Sequence, residues 1–173
     1  MSRWRTTLNI ISRKLTDSDL KNMKTLLFNE GPSEWNYLTE DSVNEQIELI
    51  RDGKALAVVA EDDDIFGFAV LILGHACPRK LSKYQSLDKI AYIKDVVVGK
   101  KLAGQGVGTK LLLECLSIAK DKNFDDVYIE RHEENLASAG MMKKAGFELV
   151  ETIYDPAKRF SGSRNTSIHV MRH

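Results

Sequence analysis

Cysteine is scarce in this 173-residue chain, with only Cys77 and Cys115 present. Two thiols are too few for a disulfide framework and lie too far apart for a Cys-x-x-Cys knuckle, so both read as reduced and buried, and no metal is expected. Long apolar runs are missing too. No stretch approaches the roughly 18 residues that span a membrane, and the opening MSRWRTTLNI lacks the apolar core and small-residue cleavage site of a secretory signal. Net charge is zero, with 25 Lys plus Arg against 25 Asp plus Glu. No charged tail is left to drive nonspecific nucleic-acid binding by counterion release. Repeats, low-complexity tracts and linkers are also lacking. These absences predict a cytoplasmic chain with neither nucleic acid nor membrane as partner, and the length suits one domain over residues 1–173. Its 43% hydrophobic and 29% charged residues supply enough apolar surface for a core.

What is present alternates between two periods. Residues 7–15 carry apolar side chains at every second position, Leu8 and Ile10 among them, which predicts a strand. Thr16, Asp17, Ser18 and Asp19 then offer acceptors that cap a helix start. That helix buries Leu20, Met23, Leu26 and Leu27 and stops near Gly31 and Pro32. A second helix is predicted over residues 41–52, with Val43, Ile47 and Ile50 inward. Apolar runs over 55–60 and 65–73 flank Glu61-Asp62-Asp63-Asp64 and predict a hairpin with a solvated acidic turn. After Gly74, a polar stretch with Cys77, Pro78, Lys80 and Lys83 predicts a loop or short irregular helix. IAYIKDVVV, residues 90–98, is the strongest strand signal and apolar enough at its end to lie centrally. Residues 108–120 repeat apolar positions at helical spacing. A strand over 127–130, a helix from near Asn135 to Gly146, and strands over 147–154 and 166–172 follow. The alternation predicts an α/β fold built on one mixed sheet.

Between the strand at 90–98 and the helix from 108 lies Ala103-Gly104-Gln105-Gly106-Val107-Gly108. A strand, a glycine turn and a helix start form an anion cradle. Glycine lets the backbone come close, and the first helical amides are unpaired at the positive end of the dipole. A phosphate is the expected guest. The P-loop pattern GxxxxGK[ST] fails, because Lys110 follows Thr109 and Ala103 stands where the first glycine belongs. A dinucleotide-binding reading fits better, since Gly104-x-Gly106 precedes a strand that ends at Glu130. It still puts Gly108 one residue early and leaves too little chain for the remaining βαβ units.

The third reading is a resemblance. Asp95-Val96-Val97-Val98 followed by the glycine loop resembles the central motif of the GNAT-superfamily N-acetyltransferases, Q/R-x-x-G-x-G/A. Asn135-x-x-Ser138-Ala139 leading to Gly146-Phe147 is similar to that family's second signature. With the order of elements, the resemblance covers nearly the whole chain. It implies a mostly antiparallel central sheet of about six to seven strands with about four helices, opened where two strands splay. It also implies acetyl-CoA as co-substrate, with its pyrophosphate on the loop Ala103, Gly104, Gln105, Gly106, Val107, Gly108 and Thr109. The pantetheine arm would pair like an added strand with the backbone of Val96, Val97 and Val98, and an amide at the splay would polarise the thioester carbonyl. Asn135, Ser138, Ala139 and Met142 would contact the cofactor from the following helix, although Asn135 also reads as a plain N-cap. The partner implied is an amine acceptor, and a homodimer is left open.

The chain departs from the family at three positions. Ala103 stands where Arg or Gln is usual, which removes one side-chain contact to the pyrophosphate and leaves the backbone cradle. Met142 stands where many members carry a tyrosine proposed to protonate the departing thiolate, and a thioether has no proton to give. Tyr128, Tyr154 or a water is left to fill that role. Lys94 stands where some polyamine acetyltransferases carry a glutamate proposed as the base. A base is needed because the attacking amine must be neutral. Asp95 is the first candidate, on condition that a bulge turns it out of the strand's alternation. Glu130 and His132 are the next, and each of the three also reads as a surface or capping residue.

Substrate selection is expected from loops at the mouth of the opening, residues 31–38 and 156–165. Trp35 and Tyr37 would stack on substrate or anchor the first loop. Lys158, Arg159 and Arg164 in the second suggest an anionic group on the acceptor or the CoA nucleotide, or else a solvated basic loop. The expected function is N-acetyl transfer to a primary amine of a small molecule or peptide by direct attack. The alternatives are a silent acyl-CoA-binding module and, behind it, a dinucleotide-binding protein.

Overall fold

Thr16 opens the first helix reciprocally. Its hydroxyl accepts the Asp19 amide at 3.1 Å, and the Asp19 carboxylate accepts the Thr16 amide at 2.8 Å, which satisfies two donors that no helical carbonyl can reach. The computed structural model describes residues 8–173, and helix α1 (Asp17–Glu30) is the first helix in it. It buries Leu20, Met23 and Leu27. Helix α2 (Glu40–Arg51) is capped by the Thr39 hydroxyl and buries Val43 together with an amide side chain, Gln46.

The strands are β1 (Asn9–Ser12), β2 (Ala55–Glu61), β3 (Ile65–Leu73), β4 (Ile90–Val98), β5 (Asp126–His132), β6 (Glu148–Tyr154) and β7 (Asn165–Arg172). They form one sheet in the order β1-β2-β3-β4-β5-β7-β6. Every neighbouring pair is antiparallel except β4 and β5, which run parallel. Helices α3 (Val107–Asp121) and α4 (Leu136–Lys144) complete the fold. β1 is shorter than the strand expected over 7–15, whose first residue, Thr7, lies outside the described residues. Just past its end, the Arg13 guanidinium bridges Asp19 at 2.8 Å and Glu61 at 2.7 Å. The polar stretch from Gly74 folds as three short 3-10 helices.

Two cores cover the two faces of the sheet. Leu20, Val43, Val59, Phe68 and Tyr92 pack under α1 and α2. Ala91, Ile93, Leu111, Leu112, Ile129 and Phe147 pack under α3 and α4. Each buried Val, Leu, Ile or Phe among them contributes roughly 1.5–3 kcal/mol of burial. Cys77 and Cys115 are free and buried, and burial pushes both thiols up to about 12.

The sheet is divided along its middle. β4 pairs with β5 from Ile90 opposite Asp126 to Ile93 opposite Ile129, and pairing ends there. β4 runs on to Val98 and β5 to His132. On its other edge β4 carries a bulge: Leu71 faces Ile93 and Ala69 faces Val96, so Val70 alone opposes both Lys94 and Asp95. A bulge bends a strand and increases its twist, and here it lies where β4 leaves β5.

Candidate active site

The cleft beyond Ile93 and Ile129 has a backbone cradle on the α3 side. Gly104 and Gly106 sit at φ +76° and +73°, in the left-handed region that other residues reach only with strain, and a Cβ at either would meet nothing within 4 Å. Gly106 is the N-cap of α3 and brings no side-chain cap. The amides of Gly106, Val107, Gly108 and Thr109 therefore meet no acceptor among the described residues, at the positive end of the helix dipole. That is the donor set a pyrophosphate requires. Met141 packs against Gly108, where a Cβ would lie 2.6 Å from its Sδ. Ala103 and Gln105 are exposed on the same loop. Asn135 caps α4 by accepting the Ser138 amide at 3.2 Å, and Ala139 lies half-buried on that helix's first turn. Met142 is buried, 2% exposed, in the core beneath α4.

The bulge decides where Asp95 points. Ala91 and Ile93 face α3, and simple alternation would send Asp95 the same way. The extra residue puts Val96 and Val98 on the α3 face and Val97 in the opposite core. Asp95 then lines a cavity of about 440 Å³ on the α1 and α2 side, next to Tyr92, Lys94 and Glu130. Its Oδ2 is sealed from solvent and has no hydrogen-bond partner. Burial lifts its carboxyl above the ordinary value, outweighing Lys94, Gln46 and Lys158, which pull the other way. The buried Gln46 amide lies against this carboxylate and favours its charged form as a hydrogen-bond donor, although the pair falls short of full hydrogen-bond geometry.

Glu130 is committed to lysines. Its side chain is 1% exposed, with Lys158 Nζ 2.7 Å from one oxygen and Lys80 Nζ 2.5 Å from the other. Burial pushes its carboxyl up, but the two ammonium groups outweigh that and hold it below the usual range, which weakens it as a base. His132 is committed as well. Its Nδ1 accepts the Glu134 amide at 3.0 Å, which leaves Nε2 to donate to the Ser161 carbonyl at 2.8 Å. With its one lone pair taken, the ring ties the end of β5 to the β6–β7 loop.

Trp35 leans on that ring, centroids 4.8 Å apart, and so anchors its loop. Tyr37 is 69% exposed, lines the cavity and meets Phe160 edge-on at 5.3 Å. Of the basic loop, Arg164 is exposed, whereas Arg159 is buried in the cavity wall and Lys158 turns its ammonium to Glu130. The loop is not simply solvated. Tyr128 stacks on Tyr84 and reaches Asp126 at 3.3 Å within the paired part of the sheet, and Tyr154 is exposed on β6, so neither lies at the cleft. Sequence reading missed Lys80, Phe160 and Gln46. Gln46 had a signal, being a polar residue three places after Val43 on an inward helix face. Among the described residues no three His, Cys, Asp or Glu side chains are grouped to hold a metal ion, and no helix is long and apolar enough to cross a membrane.

Comparison with known proteins bears on this cleft. The solved structures similar in fold include an acetyltransferase from Bacillus subtilis in complex with CoA, at 20% identity and a TM-score of 0.70, covering 96% of this chain and 99% of that one. The ribosomal-protein-S18-alanine N-acetyltransferase from Escherichia coli gives 14% and 0.73, covering 96% and 94%. An aminoglycoside acetyltransferase in complex with coenzyme A and kanamycin gives 19% and 0.73, covering 95% of each chain. No curated protein sequence matches this one. The profile described as the Acetyltransferase (GNAT) family matches residues 20–147, and the chain belongs to that family.

Proposed function

We propose that this chain transfers the acetyl group of acetyl-CoA to a primary amine by direct attack, with no covalent enzyme intermediate. One observation carries the reading: the parting of β4 from β5 joins a glycine cradle on one face to a cavity with an unpartnered carboxylate on the other. The enzymes of this family use acetyl-CoA as co-substrate and need no metal. The cradle fits such a ligand, because its free amides need an anion and its glycines leave the approach open. When bound, acetyl-CoA supplies an activated thioester. The amides from Gly106 onward hold its pyrophosphate. The β4 backbone from Val96, unpaired on the β5 side, hydrogen-bonds an extended arm. Asp95, next in the chain to Val96, takes the proton of the incoming amine directly or through a water.

A silent acyl-CoA-binding module is the second reading, and Met142 favours it, since no proton donor occupies that position. The test is calorimetric titration of acetyl-CoA, followed by CoA release with a panel of amines and peptide N-termini. Binding with turnover above the rate without acceptor supports the enzyme. Binding with no turnover supports the module, and absence of binding to folded protein rejects both.

A further inference from the structure

We propose, resting on the acetyltransferase reading above, that the amine acceptor also carries an oxyanion, a carboxylate or a phosphate, and that Lys94, Lys158 and Arg159 select it. The chain as a whole is neutral, but the cavity beside Asp95 is not. Its charged lining is Lys94, Asp95, Glu130, Lys158 and Arg159, and Lys80 reaches the same Glu130 from the adjoining surface. One carboxylate, Glu130, is shared between two ammonium groups, which leaves a positive charge over. Lys94 has no carboxylate within ion-pair distance among the described residues.

Arg159 is the clearest case. It is 4% exposed, yet every partner of its guanidinium is neutral: the Thr166 hydroxyl at 2.8 Å, and the Trp35 carbonyl and Asn36 amide oxygen at 3.4 Å. Asp155, the nearby acid of the same loop, accepts from the Thr166 hydroxyl instead. Nη2 donates to nothing among the described residues. A buried guanidinium without a carboxylate is costly to desolvate, and burial accordingly holds this one below its usual value. Nη2 and its two N–H groups are what the guanidinium has left to donate to an oxyanion.

The opposite charge faces the other end of the acceptor. Asp95 lines the same cavity and has no cation within ion-pair distance among the described residues, so its carboxylate is left to meet an ammonium. A ligand with an ammonium and an oxyanion satisfies both ends at once, whereas a polycation meets three cations and gains one acid. The two loops that wall the cavity are also joined, through Arg159 to Trp35 and Asn36 and through Ser161 Oγ to the Glu34 carbonyl at 2.5 Å. That enclosure, with a volume inside the range of about 300–1,000 Å³ of small-ligand sites, suits a small molecule. The exposed Tyr37 and Phe160 supply apolar surface at the mouth for the rest of it.

The test does not depend on turnover. N-acetyl derivatives of the standard amino acids, each paired with its N-acetyl amide, are titrated calorimetrically into the full chain saturated with CoA. N-acetylphosphoethanolamine, paired with N-acetylethanolamine, distinguishes phosphate from carboxylate. At least one oxyanion should bind about tenfold or more tighter than its neutral twin, and Lys94→Gln, which breaks no ion pair, should remove most of that preference. Arg159→Gln should remove it too, if the variant folds. In kinetics the parent amine should outpace spermidine and kanamycin. Equal affinity of charged and neutral twins, no binding of either, or a preference untouched by Lys94→Gln overturns the proposal and leaves the acetyltransferase reading intact. Failure of acetyl-CoA itself to bind overturns both.

Discussion

Ile93 on β4 and Ile129 on β5 are the last facing pair before the two strands part. Below them the strands share parallel hydrogen bonds. Above them one strand turns Asp95 to the cavity and the other turns Glu130. The cradle for the anion follows the end of β4, just past a 3-10 turn at Lys100–Leu102, so one strand end serves both halves of the cleft, and the two halves are separable by mutation.

Gly106 tests the cradle half. A side chain there meets no atom within 4 Å but must adopt φ +73°, at a strain of about 1–2 kcal/mol. Gly106→Val should therefore lower Tm modestly and weaken acetyl-CoA binding about tenfold or more by filling the anion's approach. Gly53, at φ +71° in equally open space, lies in the turn between α2 and β2. Gly53→Val should show the same loss of Tm in calorimetry with acetyl-CoA affinity unchanged. If both variants bind equally well, the cradle assignment fails.

Glu130→Gln separates a brace from a base. The amide cannot hold two ammonium groups, so the repulsion between Lys80 and Lys158 should destabilise the fold. With both lysines partly exposed, the loss should be about 1–2 kcal/mol. Thermal melts should show the deficit shrinking at high salt, where that repulsion is screened. Retained Tm with abolished turnover would instead make Glu130 the base.

Much of the fold was legible because its signals are local. The strand at 90–98 matches β4, and the glycine at the start of α3 announced the cradle. What was not legible came from residues brought together over long sequence separations. Nothing in the run around Lys80 indicates that it would meet Glu130, and Arg159 reads as a solvated cation until Thr166 and the Trp35 loop close over it. The insertion of β7 between β5 and β6 likewise leaves no mark on either strand's periodicity. The orientation of Asp95 was legible only as a condition, because a bulge is a property of the pairing of β3 with β4 and not of either sequence alone.

His169 makes stability pH-dependent. Burial, with help from Arg131, pulls its ring down to about 4, and Arg131 Nε donates to its Nε2 at 3.1 Å, a bond that only the neutral ring accepts. The unfolded chain binds this proton near pH 6.5 and the native one near 4. The stabilisation is therefore complete above about pH 6.5 and lost as pH falls toward 4. The ring is only 7% exposed, and a shift of this size corresponds to roughly 3 kcal/mol. Between those pH values Tm should fall more steeply in the native protein than in His169→Gln, and parallel curves would exclude this origin.

Asp95→Asn tests the catalytic half and has two readouts of opposite sign. Because burial raises the carboxyl, the folded protein holds this proton more tightly than the unfolded chain does. Stability is therefore lost as pH rises through the unfolded and then the raised folded value. Asparagine removes that loss and gives up only the incomplete contact with Gln46, so at neutral pH the variant should melt at the native temperature or above it. Acetyl-CoA affinity should be unchanged, since the cradle is on the other face of the sheet. Turnover should nevertheless fall roughly a hundredfold or more, the contribution expected of a positioned base. The deficit should be largest at low pH, where the amine arrives protonated and needs the carboxylate, and should shrink as solvent supplies neutral amine. A variant that is more stable, binds acetyl-CoA normally and turns over slowly cannot be explained by damage to the strand. If the pH–rate profiles of the two proteins coincide, Asp95 is a strand residue that faces the cavity and takes no proton.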